Sequence, residues 1–94
     1  MAESSNRVII TVLGKDRVGI IARIAAELAA CNINILDISQ TILQGFFTMM
    51  MVVDTAGAAV SLEALQGRLK AAGEELGVRV TAQHEDVFRY MHRV

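Results

Sequence analysis

Two kinds of apolar periodicity alternate along the chain. Short runs rich in β-branched and aromatic residues predict strands, and runs with apolar residues at three-to-four spacing predict helices. The predicted strands are 7–13, 33–43, 46–53 and 78–83. The predicted helices are 18–31, 62–76 and a short C-terminal one at 86–94.

The strands differ in how their apolar residues are placed. The first and third runs carry apolar side chains on both faces, which is typical of central strands. The second run sets a polar row, Asp37, Ser39 and Thr41, against an apolar one, and the fourth alternates as an edge strand would. The polar row has two interpretations, a ligand groove or the solvent side of an edge strand. The run Met49–Met51 also has two interpretations. Its side chains fill a core or an interface, or they line a binding surface.

Turn and cap residues separate these runs. Gly45 predicts a hairpin between the second and third strands. For the first helix, Asp16 is placed to cap the start, and Asn32 is placed to end it in a left-handed conformation. For the second helix, Ser61 is placed to cap the start and Gly77 to end it.

The order strand, helix, strand, strand, helix, strand predicts an α+β, ferredoxin-like βαββαβ sandwich. It has a four-stranded antiparallel sheet with two helices on one face, plus a short C-terminal helix on the domain or on a partner. The other face of the sheet is left open, and the apolar share of 53% exceeds the usual 45–50%. The surplus favours a homodimer formed through the open face or an edge of the sheet.

Composition and motifs argue against several classes of function. Ninety-four residues make one domain, and a net charge of −1 with scattered basic residues gives no field for nucleic acid. The single cysteine, Cys31, is expected to be buried, as in a reducing cytoplasmic compartment, and neither a leader nor a membrane span is expected. Catalytic motifs are absent, so no enzyme is expected. His84, Glu85, Asp86 and His92 match no standard metal spacing, and no metal or cofactor is expected.

The segment Gly14-Lys15-Asp16-Arg17-Val18-Gly19 joins the first strand to the first helix. The first amides of a helix lack intrahelical partners, and the positive end of the helix dipole lies at the same place. Glycines at both ends let a ligand approach the backbone. The segment therefore predicts a site for a small carboxylate such as an amino acid; the simpler interpretation is a mere connection between packed elements.

The chain resembles ACT domains, small regulatory modules that bind amino acids. The resemblance covers about residues 7–84, leaving 85–94 as a helical tail, and rests on GKDRVGIIARIAAELAACNINI from Gly14 to Ile35. Val18 stands where the family usually has proline, so the turn is less restricted. The runs D-I-S-Q-T from Asp37, F-T-M-M from Phe47 and F-x-x-M-H from Phe88 are similar to free-standing bacterial and archaeal ACT proteins. They also resemble ACT domains of glycine-cleavage repressor-like proteins and formyltetrahydrofolate deformylases.

The resemblance implies a ligand site and a role. Asp16 and the amides around Val18, Gly19 and Ile20 would meet the polar ends of an amino acid, Gly14 would leave room beside it, and Asn34 would bind it across a dimer interface. The implied function is a sensor that modulates a partner enzyme or regulator, and family analogy extends this to an enzyme of a glycine or one-carbon pathway. The alternative is a structural interaction module with no metabolite site.

Overall fold

The computed structural model describes residues 6–91, and the order of its elements confirms the predicted βαββαβ arrangement. The elements are β1 Arg7–Lys15, α1 Ile20–Ala30, β2 Asn34–Leu43, β3 Phe46–Asp54, α2 Leu62–Leu76, β4 Val78–His84 and α3 Glu85–Met91. Residues 92–94 of the predicted last helix lie outside the described residues. Within residues 6–91, no helix has the length and apolar character needed to cross a bilayer.

The four strands form one sheet in the order β2-β3-β1-β4, with every neighbouring pair antiparallel. The prediction that β1 and β3 are central and β4 lies at an edge is confirmed. β2 forms the other edge, so its polar row lies on a strand with one free side. Free backbone groups along β2 are therefore available to a further strand.

The core lies between the sheet and the helices α1 and α2. Alternate residues of β1 and β3 point into it, and Ile24, Leu28, Leu65 and Leu69 meet them from the helices. Met49 and Met51 are fully buried among these side chains, which confirms the core interpretation for two of the three methionines. Cys31, at the end of α1, is fully buried as well.

The other side of the sheet is called the open face here. It carries Ile9, Thr11 and Leu13 of β1 and, opposite them, alternate residues of β3 such as Met50. Ile9 is buried, but Leu13 is 49% and Met50 41% exposed. Of the apolar side chains that β1 carries on this face, Ile9 is therefore buried and Leu13 is not, because neither α1 nor α2 covers this side.

Local backbone signals act where they were expected. Gln44 and Gly45 form the β2–β3 turn with φ values of 52° and 83°, the left-handed pair that matches the twist of a hairpin. Asn32 ends α1 with a φ of 59°. The Ser61 hydroxyl accepts a hydrogen bond from the Ala64 N–H at 3.1 Å and so caps α2.

β2 contains an irregularity that periodicity does not show. Its register against β3 shifts between Ile35 and Asp37, so Leu36 is an extra residue in the ladder. Next to this bulge, the Asp37 carboxylate accepts the Ile38 N–H at 2.9 Å. The bulge places Ile38, Gln40 and Ile42 on the same side as the helices and Asp37 on the open face.

Candidate ligand site at the β1–α1 turn

The turn between β1 and α1 is shorter than predicted. β1 continues through Lys15, which leaves residues 16–19 as the connection. The Asp16 N–H donates to the Gly45 carbonyl at 2.8 Å, tying the turn to the β2–β3 hairpin. Arg17 Nη1 donates to the Leu76 carbonyl at 3.1 Å, tying it to the end of α2. The turn is thus held from two sides.

The start of α1 has no side-chain cap. The N-cap residue is Gly19, with a φ of 96°, a conformation that glycine adopts without strain. The prediction that Asp16 caps this helix is wrong, because a side chain caps from the N-cap position and Asp16 lies three residues before it. Among residues 6–91, no side chain accepts a hydrogen bond from the first amides of this helix, those of Ile20, Ile21 and Ala22.

Asp16 lines the same cleft as the first turn of α1, and its carboxylate has no hydrogen-bond or ion-pair partner within residues 6–91. A negative side chain and the positive end of a helix therefore lie on the same cleft. An α-amino acid carries the complementary charges on adjacent groups, an ammonium and a carboxylate. The turn offers both a donor set and an acceptor for such a zwitterion.

A cleft of about 240 Å³ opens at this point, between the turn, the first turn of α1 and the far half of β2. Its polar contributors besides the backbone are Asp16, Arg17 and Gln40, and its apolar wall includes Ile21, Ile42 and Phe47. Since Arg17 is engaged with Leu76, Asp16 and Gln40 are the side chains left to contact a ligand. Sequence reasoning missed Gln40 and Ile42.

The predicted turn residues divide into two groups. Asp16, Gly19 and Ile20 line the cleft, and Val18 lies next to them at 97% exposure. Lys15 is paired with Phe46 on the open face, away from the cleft. Gly14 faces β4: a Cβ placed on it would lie 2.8 Å from Cγ1 of Val78. The space that Gly14 leaves is therefore filled by β4.

The remaining predicted contributors lie elsewhere in the same chain. Asn34 lies at the opposite end of α1, in a shallow depression with Ala29, Asn32 and Ile33. An 11-residue helix is about 16 Å long, so Asn34 does not reach the turn of its own subunit. Asp37 lies at the β2 bulge, with its carboxylate engaged by Ile38.

Ion pairs hold α1 against α2 behind the cleft. Glu27 accepts from Arg23 at 2.8 Å and from Arg68 of α2 at 2.7 Å. Arg23 also reaches Glu75 of α2 at 3.0 Å. The hydrogen bonds from Arg23 and Arg68 lower the pKa of Glu27 below its ordinary value, so this carboxylate is charged at neutral pH. The network fixes the helix whose first amides border the cleft.

A more enclosed cavity of about 130 Å³ lies near the opposite end of the sheet, beneath the β3–α2 connection. Its polar groups include Thr55, whose hydroxyl donates to the Asn6 carbonyl at 2.8 Å, and Ser61, which caps α2. Because these hydroxyls already serve the fold, the cavity is less suited to a charged ligand than the cleft at the turn. Within residues 6–91, no cluster of three or more metal-ligating side chains forms.

Comparisons with known proteins agree with this architecture. A family model described as "ACT domain" matches residues 6–83. The chain is 55% identical over 91 residues to a UPF0237 protein of Methanosarcina acetivorans, covering 97% of this chain and 99% of that one. It is also similar to the solved structure of an ACT domain protein from Streptococcus pneumoniae, with 38% identity and a TM-score of 0.78. That match covers 89% of this chain and 94% of the pneumococcal one.

A more distant structural likeness concerns the fold alone. The solved structure of a putative glycine cleavage system transcriptional repressor superposes with a TM-score of 0.72 at 19% identity. The match covers 82% of this chain and 44% of the repressor chain. The same βαββαβ unit thus occurs within a longer protein whose name describes a regulator.

Proposed function

This chain belongs to the ACT-domain family, and we propose that it is a cytoplasmic, non-catalytic regulatory module that binds an amino acid or a similar small carboxylate. One observation carries the proposal: the uncapped amides of α1 and the unpartnered carboxylate of Asp16 border the same cleft. Neither group is used by the fold, and together they match the two charges of a free amino acid.

The chemistry of the cleft suggests one orientation for the ligand. Its carboxylate accepts hydrogen bonds from the amides of residues 20–22, where the helix dipole adds a favourable field. Its ammonium group pairs with Asp16. Its side chain then points along β2, where Ile21 and Ile42 supply apolar contact and Gln40 offers both a donor and an acceptor.

The free edge of β2 supports a homodimer that completes this site. Since the Ile38 N–H is accepted by Asp37, the backbone groups of Ile38, Gln40 and Ile42 point away from β3. A second copy can pair there antiparallel, with Gln40 opposite Gln40 and the two sheets joined into one. Asn34 of the second subunit then lies opposite the Gln44–Gly45 turn, to which Asp16 is bonded.

In such a dimer Asn34 can contact a ligand in the cleft of the neighbouring subunit, although it is too far from the cleft of its own subunit. It would donate or accept a hydrogen bond at the cleft of the neighbouring subunit, so each ligand contacts both chains. A ligand held in this way favours one arrangement of the two subunits over others, which is the differential affinity that regulation requires. A partner enzyme or regulator would recognise that arrangement.

Thermal unfolding with and without candidate ligands tests the proposal. The panel contains the common amino acids and simple carboxylates, with wild type, Asp16→Asn and Asn34→Ala compared. Glu63→Gln is the matched control, because Glu63 is exposed on α2, and α2 contributes no residue to the cleft. A ligand present at 100 times its Kd raises stability by about 2.7 kcal/mol.

The expected result is stabilisation of the wild type and of Glu63→Gln, and a much smaller effect on Asp16→Asn and Asn34→Ala. A panel in which no compound stabilises the wild type contradicts the sensor. In that case the exposed apolar side chains of the described surface favour the alternative, a protein-interaction module with no metabolite site. An Asp16→Asn variant that responds like the wild type contradicts the location of the site, because the ligand then binds without Asp16.

A further inference from the structure

The exposed large apolar side chains of residues 6–91 fall on two separate surfaces. One follows the β1–α1 turn and the β2 edge, where the proposed homodimer forms. The second occupies the open face and α3; its members are Leu13, Leu43, Phe46, Met50, Val87 and Tyr90. The β2 pairing described above leaves this second surface uncovered.

The open face has one covered end and one bare end. α3 follows β4 directly and contacts β1 and β4. Its first residue, Glu85, is mostly buried and pairs with Arg7 at 3.7 Å. At this end Ile9 is only 8% exposed, whereas Phe46 at the other end is 59% exposed. The face therefore has a raised, helical half and a flat, apolar half.

The two ends also differ in charge. The bare end carries Lys15 and Arg79, and neither has an ion-pair partner among the described residues. At the covered end, Arg7 and Arg89 are both paired with Glu85, while Asp54 and Asp86 add negative charge. In both shape and charge, the open face is therefore complementary to a second copy of itself that is rotated so that its covered end meets the bare end.

We propose that the open face binds the open face of a second copy. The two copies are related by a two-fold axis that lies between the sheets and runs perpendicular to the strands. This operation places α3 of each copy over the bare end of the other, so Val87 and Tyr90 meet Leu13 and Phe46. It also brings Arg79 of one copy towards Asp86 of the other. An axis parallel to the strands would instead place like-charged ends together.

This contact is compatible with the β2 pairing of the proposed homodimer. The two-fold axis of the β2 pairing is perpendicular to the sheet, and the two-fold axis of the open-face contact is parallel to it. Both axes pass at the level of Gln40, which lies near the middle of β2. Together they generate a tetramer of dihedral symmetry made of two stacked, extended sheets. The tetramer rests on the proposed dimer, but the open-face contact itself requires no ligand.

Charge reversal across the contact tests this assembly by sedimentation equilibrium at micromolar concentration. The wild type is expected to be a tetramer. Arg79→Glu and Asp86→Arg are each expected to halve the mass to that of a dimer, and the double variant is expected to restore the tetramer. Met50→Asp, which places a carboxylate on the open face between the uncharged Thr11 and Ser39, is expected to give dimers as well, with thermal unfolding confirming that it folds.

Restoration by the double variant identifies the partner as a second copy, because both charges belong to this chain. A wild type that never exceeds a dimer, or single variants that keep the wild-type mass, overturn the open-face contact. Ligand-induced stabilisation distinguishes failure of the open-face contact from failure of the proposed ligand site. The open-face variants keep the cleft intact and retain ligand-induced stabilisation, whereas Asp16→Asn loses that stabilisation whatever its assembly.

Discussion

Gly14 and Val78 face each other across the β1–β4 ladder with no room for a side chain between them. A Cβ built on Gly14 would lie 2.8 Å from Cγ1 of Val78 and 3.0 Å from both its Cα and its Cβ. Two of these three nearest contacts involve the Val78 side chain and one its backbone, so a larger residue must displace the strand. The glycine that begins the most distinctive segment of the sequence therefore serves the sheet directly.

Gly14→Ala is expected to destabilise the protein by about 1–3 kcal/mol, because the added methyl group overpacks the ladder. Gly67→Ala is the matched control: it lies within α2, and an added Cβ there meets nothing within 4 Å. That substitution is expected to stabilise by about 0.5–1 kcal/mol through helix propensity. Urea unfolding of the two variants measures both values, and a Gly14→Ala variant as stable as the wild type would contradict the close approach.

Glu27 makes the stability of the α1–α2 pair depend on pH. Its pKa is lowered by the hydrogen bonds from Arg23 and Arg68, so its contribution is complete above the ordinary glutamate pKa of about 4.3 and is lost as the pH falls through the lowered value. Glu27→Gln is expected to lower the melting temperature by about 5 °C at pH 7.

The difference between Glu27→Gln and the wild type should shrink as the pH falls from 7 through the lowered pKa of Glu27, and it should vanish once this carboxyl is protonated in both the folded and the unfolded chain. Calorimetry across this range measures it. Glu74→Gln serves as the control, since within the described residues Glu74 is exposed and has no ion pair. A loss that stays equal across the pH range in which Glu27 becomes protonated would show that Glu27 acts through packing alone.

Gly19 sets the direction of the amides at the start of α1. Its φ of 96° strains any residue with a Cβ, although the surrounding space is open. Gly19→Ala is expected to cost about 1–2 kcal/mol of stability and to weaken ligand binding about tenfold, because the amides of residues 20–22 turn away from the cleft. Gly19→Asn should retain more of both, since asparagine tolerates left-handed backbone better. If calorimetric titration finds the same ligand affinity for the wild type, Gly19→Ala and Gly19→Asn, the turn is not part of the ligand site.

Much of the fold could be predicted because periodicity and cap residues act locally. The order of the elements, the central position of β3 and the caps at Asn32 and Ser61 depend on neighbours in the sequence. The assignment of a cap to Asp16 failed because it depends on where α1 begins. That position is set by the left-handed Gly19 and by the bond from Asp16 to Gly45, a contact between segments distant in the sequence.

The composition of the candidate site was predictable only in part. Asp16 and Gly19 could be found because a strand-to-helix turn flanked by glycines has a known chemistry. Gln40 and Ile42 could not, because they reach the cleft through the bulge at Leu36 and through the position of β2 beyond the edge of α1. A bulge adds one residue without a sequence signal strong enough to place it.

Gln40 is expected to determine which ligand side chain is accepted. Gln40→Leu replaces the remaining polar side chain on the β2 wall of the cleft by an apolar one of similar size. Affinity should fall about tenfold for a ligand that hydrogen-bonds to the amide and rise for a purely aliphatic one. Thr41→Val, on the opposite face of β2, is the control. Unchanged selectivity in a competition titration would remove Gln40 from the site.

The most direct measurement of the sensor is an amide NMR titration of the ¹⁵N-labelled protein with the amino acid that gives the greatest thermal stabilisation. The prediction is that the largest shift changes occur at the amides of residues 16 and 19–22 and at Gln40, with a smaller set at Asn34 from the opposite subunit. Saturable shifts confined to another region, such as the cavity beneath the β3–α2 connection, would contradict the proposed site. An unchanged spectrum with every ligand tried would contradict the sensor itself.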